Sequence, residues 1–224
     1  TGIGSNDGQG LFSEHSAPKF DLGAKLEFSD GRVFRYTQAG GSITAGQLVA
    51  QDFSAGNIAE FDDATISPVT AGSTVITITA SALSGVDDVN ELAGSYLMTI
   101  DGTGEYYSYK IKSHGVESSN AVEFTLYDPL HTAVATGTTD LQIIAPAFRK
   151  VVMCTSGTDA NSDTMPVGVS FRGLTSAYYG WIQTGGIACV RFDLNGLTAT
   201  DVHAGRPVVP SVNHTGSVQP SQAA

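Results

Sequence analysis

The stretch Thr74-Val75-Ile76-Thr77-Ile78-Thr79 alternates hydroxyl-bearing and aliphatic β-branched side chains. That period-2 rhythm sends the aliphatic groups to one face of an extended strand, and a helix cannot use it. Short runs of similar character recur at 24–28, 32–36, 96–100, 106–111, 121–126, 141–144, 151–154, 167–171, 178–183, 187–192 and 207–209. Composition points the same way. Gly accounts for 26 of 224 residues and charged residues for 15%, a turn-rich and charge-poor profile that disfavours helical bundles and coiled coils. The best helix candidate, 82–92, contains Gly85 and β-branched neighbours that weaken it.

Turn chemistry punctuates the runs. Asp30-Gly31 between alternating segments predicts a tight hairpin, Gly185-Gly186 predicts another, and Asn195-Gly196 fits a type I′ turn. Gly102-Thr103-Gly104 lacks the third glycine and the helix of a dinucleotide fingerprint and reads as a strand-connecting turn. The expected fold is all-β: two β-sandwich or barrel-like modules, with an extended N-terminal arm and a flexible C-terminal tail. Residues 1–22 form the arm, 23–67 together with 149–210 the main module, 68–148 an inserted module, and 211–224 the tail. The blocks on either side of the insertion are each small for an independent core.

Net charge is −11, so the phosphate-neutralising surface needed for direct nucleic-acid binding is missing. From Tyr36 through Tyr109 the chain has no Lys or Arg, yet it carries Asp52, Glu60, Asp62, Asp63, Asp87, Asp88, Glu91, Asp101 and Glu105. This region serves as a solubility device, or else as a cation site or a face for a basic partner. No apolar run approaches the ~18 residues of a membrane span, and the first residues lack the basic and apolar regions of a signal peptide, so a soluble, unexported protein is expected without membrane partners. Cys154 and Cys189 have neither zinc spacing nor neighbours and read as two buried thiols, with a single disulfide as the alternative. The Asn213-His-Thr sequon reads as chance.

Catalytic signatures are missing, and no cofactor is expected. His15, His114, His131, His203 and His214 are dispersed, without a triad or metal spacing between them. The adjacent pairs Asp62-Asp63 and Asp87-Asp88 point to opposite faces of an extended chain and make no acid/base couple unaided. Asp159, Asn161 and Asp163 have the alternating oxygen spacing with which calcium loops begin. Thr164 and Ser170 stand where such a loop needs Gly and Glu, so these three are weak calcium candidates beside the reading of a plain acidic loop. Trp181, the only tryptophan, lies in an aromatic run with Tyr178 and Tyr179; the run reads as core strand and hairpin, or as a stacking and interface platform.

Ile3, Leu11, Phe12, Phe20 and Leu22 are too sparse for a core of their own. With Trp181 they are the candidate interface residues, and the arm is expected to be disordered in the free protein and ordered against a partner or a neighbouring subunit.

Five stretches carry a likeness: LGAKLEFSDGRVFRYTQAG (22–40), AGQLV (45–49), GSYLMTIDGTGEYYSYKIKSHG (94–115), FTLYDPL (124–130) and PVGVSFRGLTSAYYGWIQTGG (166–186). Taken in this order, the chain resembles a group of virion structural proteins of tailed bacteriophages, especially phages of aquatic bacteria. The group has a more extended Gly-Gln-Thr element where Glu105-Tyr106-Tyr107-Ser108 stands, and an aromatic-Gln-Thr element like residues 181–184. The resemblance implies a capsid decoration, or cement, protein on the outer capsid surface, made in the host cytoplasm. It implies no catalysis, with the major capsid protein as partner and a homo-oligomer, foremost a trimer and otherwise a dimer. A tail, baseplate or head-fibre component presenting a host- or glycan-binding face is the alternative.

Overall fold

The computed structural model describes residues 10–52, 58–60, 65–84, 86, 89–156, 164–194 and 205–221. It is all-β, with no α-helix among the described residues. In chain order the strands are β1 (Lys25–Glu27), β2 (Val33–Gln38), β3 (Gln47–Asp52), β4 (Ile58–Glu60), β5 (Thr65–Ile66), β6 (Val75–Thr79), β7 (Tyr96–Gly102) and β8 (Ser108–His114). They continue as β9 (Ala121–Leu126), β10 (Thr139–Ile144), β11 (Val151–Met153), β12 (Thr164–Ser170), β13 (Tyr179–Gly185), β14 (Val208–Pro210) and β15 (Val218–Pro220). The chain divides into two compact units, Thr1–Ser54 with Ala147–Ala224, and Ala55–Pro146. Residues 55–67, assigned by sequence to the main module, therefore belong to the insertion. Hydrogen bonding decides this, because β4 pairs with β10 and β5 with β6.

The main unit is built on a six-stranded sheet in the order β1-β2-β13-β12-β3-β11. The Asp30-Gly31 hairpin joins β1 to β2 as expected, with Gly31 at φ +85. Asp30 secures the turn by accepting from the Arg32 backbone N–H at 3.0 Å and from Arg32 Nε at 2.7 Å. Those bonds, the backbone one first, hold its carboxyl below the ordinary aspartate value. Central β13 is covered on both faces. Trp181 joins Phe34 and Tyr36 in an aromatic cluster, while Ile182 points the other way into an aliphatic cluster with Val49, Val151 and Leu174. On the aliphatic face Gly180 lets Leu174 approach closely, since a Cβ there would sit 2.4 Å from Leu174 Cδ2 and displace that side chain.

Three sequence readings are corrected in this unit. Gly185-Gly186 is not a hairpin turn: β13 ends there, and Gly186, at φ +77, runs against Gly31 and Arg32 so closely that a Cβ would lie 2.8 Å from the Gly31 carbonyl oxygen. Cys154 is buried but Cys189 is exposed, and neither forms a disulfide. The C-terminal stretch is not a flexible tail through residue 221. β14 pairs with β15, the Leu48 N–H donates to the Gly216 carbonyl at 2.7 Å, and Ser217 and Val218 are buried. Backbone pairing, which composition does not report, holds this uncharged segment. Asn195-Gly196 lies outside the described residues.

The inserted unit has a seven-stranded sheet in the order β4-β10-β7-β8-β9-β6-β5. As the alternation predicts, Ile76 and Ile78 are fully buried and Thr77 and Thr79 are not. They join Leu97, Ile111, Phe124, Leu141 and Ile143 in one core. The 82–92 helix does not form; a single 3-10 turn spans Ser81–Leu83. Backbone groups such a helix would use are taken elsewhere: the Asn90 N–H donates to His114 O, and the Val86 carbonyl accepts from the Glu117 N–H. Buried His114 completes the arrangement. Its Nε2 accepts from the Leu92 N–H at 2.7 Å, and its Nδ1 lies 2.6 Å from the Gly115 carbonyl, which assigns the proton to Nδ1.

Candidate functional site

The arm is the first place to look for an interaction surface, and the structure docks its described part onto its own unit. The Phe20 ring lies 5.3 Å from both Tyr36 and Trp181, and the Lys19 N–H donates to the Tyr36 hydroxyl at 3.0 Å. Leu11 and Leu22 are half-buried against the same aromatic cluster. Polar contacts fix the path. Thr175 donates its N–H and hydroxyl to the two oxygens of Glu14 at 2.7 and 2.9 Å, Arg172 donates to the Phe12 carbonyl, and His15 exchanges both backbone bonds with Tyr179.

This corrects the expected disorder for residues 10–22. The sparse apolar anchors cannot form a core together, yet Leu11, Phe20 and Leu22 complete one supplied by β2 and β13. Trp181, only 2% exposed, is core and not a surface anchor. Phe12 alone among the described anchors stays largely open, at 74%, touching Phe171 edge-on. Ile3 lies outside the described residues.

Asp159, Asn161 and Asp163, and the pairs Asp62-Asp63 and Asp87-Asp88, lie outside the described residues. Among the described residues no three His, Cys, Asp or Glu side chains are placed to hold a metal ion.

The structure assembles one constellation that spacing did not reveal. Buried Asp193 accepts from the Ser211 hydroxyl at 2.5 Å, and His214 Nδ1 lies 3.1 Å from its other oxygen. The carboxylate stands between serine and imidazole, so the imidazole is not placed to take the serine proton, which nucleophilic activation requires. The Ser211 hydroxyl also accepts from the Asn213 and His214 N–H groups, both at 3.0 Å. This is a clasp that closes the turn after β14.

Charge is divided unequally between the units. The insertion carries twelve acidic residues and two lysines, net −10, while the remainder carries ten acidic and nine basic residues, net −1. Both lysines, Lys110 and Lys112, project from the exposed face of β8, the middle strand of the seven. Tyr96 is the cross-strand partner of Lys110, and Lys110 Nζ lies 5.5 Å from the Tyr127 ring centroid. At the β7–β8 connection Tyr106 adopts φ 67 and is 85% exposed, and Tyr107 stacks on His131 at 4.6 Å. Tyr96, Lys110 and Tyr127 thus share an exposed, aromatic and hydroxyl-bearing face.

No protein-family model, curated protein or solved structure matches the chain. No helix among the described residues is long and apolar enough to cross a membrane.

Proposed function

We propose that this chain is a structural virion protein that binds the outer surface of a tailed-phage capsid and stabilises or decorates it, without catalysis. Its partners are the major capsid protein and further copies of itself, foremost as a trimer. The observation that carries this reading is where the resembling stretches lie. Residues 22–40 form the β1–β2 hairpin, 94–115 the β7–β8 pair, and 166–186 span most of β12 and all of β13. The likeness thus covers central strands of both sheets, as expected of a shared scaffold and not of one transplanted motif.

The charge division supports the same reading. A near-neutral unit suits close packing on a shell, and an insertion of net −10 suits a solvent-facing part that keeps crowded neighbours apart. Many weak contacts repeated over a shell sum to firm attachment. The test is co-sedimentation of the purified protein with capsids that lack it. Saturable binding at a copy number matching the capsomers is expected, and failure to bind intact heads overturns the proposal.

The exposed Tyr96–Lys110–Tyr127 row favours the second reading, a fibre, tail or baseplate part with a glycan-binding face. A few to a few dozen copies per virion would select it.

A further inference from the structure

Lys110 and Lys112 are the only Lys or Arg side chains of the insertion, against twelve carboxylates, and both stand on the exposed face of β8. Neither forms an ion pair among the described residues. Alternation along a strand puts side chains two apart on one face at roughly 7 Å, so the two cations lie side by side. The β8–β9 register skips Lys112 between Ile111 and Ser113, which leaves it outside the cross-strand pairs. Carboxylates are kept to the margins of this face. Exposed Glu123 on β9 lies, in that register, past His114, the last residue of β8, and Asp101 and Asp140 oppose each other toward the end of β7 remote from Tyr96.

Aromatic rings flank the cations. Tyr96 lies directly across from Lys110 on β7, and on the other side Tyr127, which follows β9, brings its ring centroid to 5.5 Å from Lys110 Nζ. Tyr96 is 43% and Tyr127 57% exposed, so ring surface on both sides of the lysine is open to a ligand. Hydroxyls complete the surface: Ser108 is exposed opposite Met98, and half-buried Thr125 stands opposite Ser113.

The chemistry narrows the occupant. Nucleic acid carries a phosphate at every nucleotide, and two cations in a unit of net −10 cannot neutralise such a run. A protein partner would have to bury both lysines, a residue type that interface cores avoid. An acidic glycan asks for less: its anionic groups need few cations, its ring faces pack on tyrosine, and its hydroxyls pair with Ser108, Thr125 and the phenols. We propose that the exposed face formed by β7, β8 and Tyr127 binds a polysaccharide bearing carboxylate or sulfate groups, with Lys110 and Lys112 holding the anion and Tyr96 the adjoining sugar ring. The inference rests on the glycan-binding alternative above, which it narrows to acidic glycans, and is independent of attachment to a shell.

The experiment is calorimetric titration of the full chain with oligosaccharides of hyaluronan, polysialate and chondroitin sulfate, with neutral dextran and amylose oligosaccharides, and with an oligothymidylate. Binding of an acidic saccharide is expected, weakened about tenfold by Lys110→Gln combined with Lys112→Gln, about fivefold by Tyr96→Ala, and steadily by added salt. Lys110→Arg with Lys112→Arg should keep it. Hydroxyl-radical footprinting of the unaltered chain should show the acidic saccharide protecting Tyr96 and Tyr127, which decides the matter even if a variant folds poorly. Acidic binding that leaves both tyrosines open overturns this face. Binding of neutral saccharides alone, lost in Tyr96→Ala, overturns the acidic class and leaves the glycan-binding alternative standing. No binding of any saccharide overturns both. Oligothymidylate binding as tight as the best saccharide assigns the lysines to phosphate and overturns the glycan.

Discussion

Tyr36 shows how one side chain ties the arm to the sheet. Its ring is buried among Phe20, Tyr179 and Trp181, and burial pushes its phenol above the ordinary tyrosine value of 10.0. With the folded value raised, the neutral phenol is the form that folding favours. Its contribution is complete below pH ~10 and is lost as pH climbs through the folded value. The wild type should therefore lose stability in that alkaline window, read as a falling urea midpoint, and Tyr36→Phe should flatten the loss. At neutral pH the same variant should cost about 1 kcal/mol, because the Lys19 N–H loses its acceptor. His114 plays the corresponding part in the insertion. His114→Ala removes the acceptor for the Leu92 N–H and leaves a cavity beside Phe124, for an expected loss of about 2–4 kcal/mol. Hydrogen exchange should locate that loss in residues 65–146 and leave the main unit's sheet protected.

Among the elements, the arm has the clearest consequence. It closes the aromatic face of the six-stranded sheet, so removing it uncovers Phe34, Tyr36 and Trp181. For a chain starting at Gly23 the packing therefore predicts a lower Tm and binding of an apolar dye. Single substitutions separate the anchors. Phe20→Ala should cost about 2–4 kcal/mol, whereas Phe12→Ala, at a site 74% exposed, should cost under about 1 kcal/mol in the same thermal melt. Equal costs would show that the arm is held by its polar contacts at Glu14 and Arg172 and not by Phe20.

For the whole molecule the dominant quantity is the charge division. A unit of net −10 repels itself, and salt screens that repulsion, with a Debye length of about 10 Å at 0.1 M. Raising ionic strength from very low levels should slow hydrogen exchange in the insertion and leave the main unit, at net −1, nearly unchanged. Equal responses in both units would contradict the assignment of self-repulsion to the insertion.

The fold class, the alternating core strands such as Val75–Thr79 and the Asp30-Gly31 hairpin are legible in the amino-acid sequence. Each of these depends on side-chain period or turn chemistry within a few residues, and that information is local. Only the tertiary structure decided where the insertion begins, that the arm and the β14–β15 pair dock, that Trp181 is core, and that Asp193, Ser211 and His214 meet. Each depends on pairing between distant segments: residues 58–60 are claimed by β10, the Tyr36 hydroxyl accepts from Lys19, and the Asp193 carboxylate reaches a serine eighteen residues away. Composition marked the arm and the C-terminal segment as loose because neither can build a core alone. It carries no record of the surface that a neighbouring strand presents to them, and that surface decides whether a sparse segment docks.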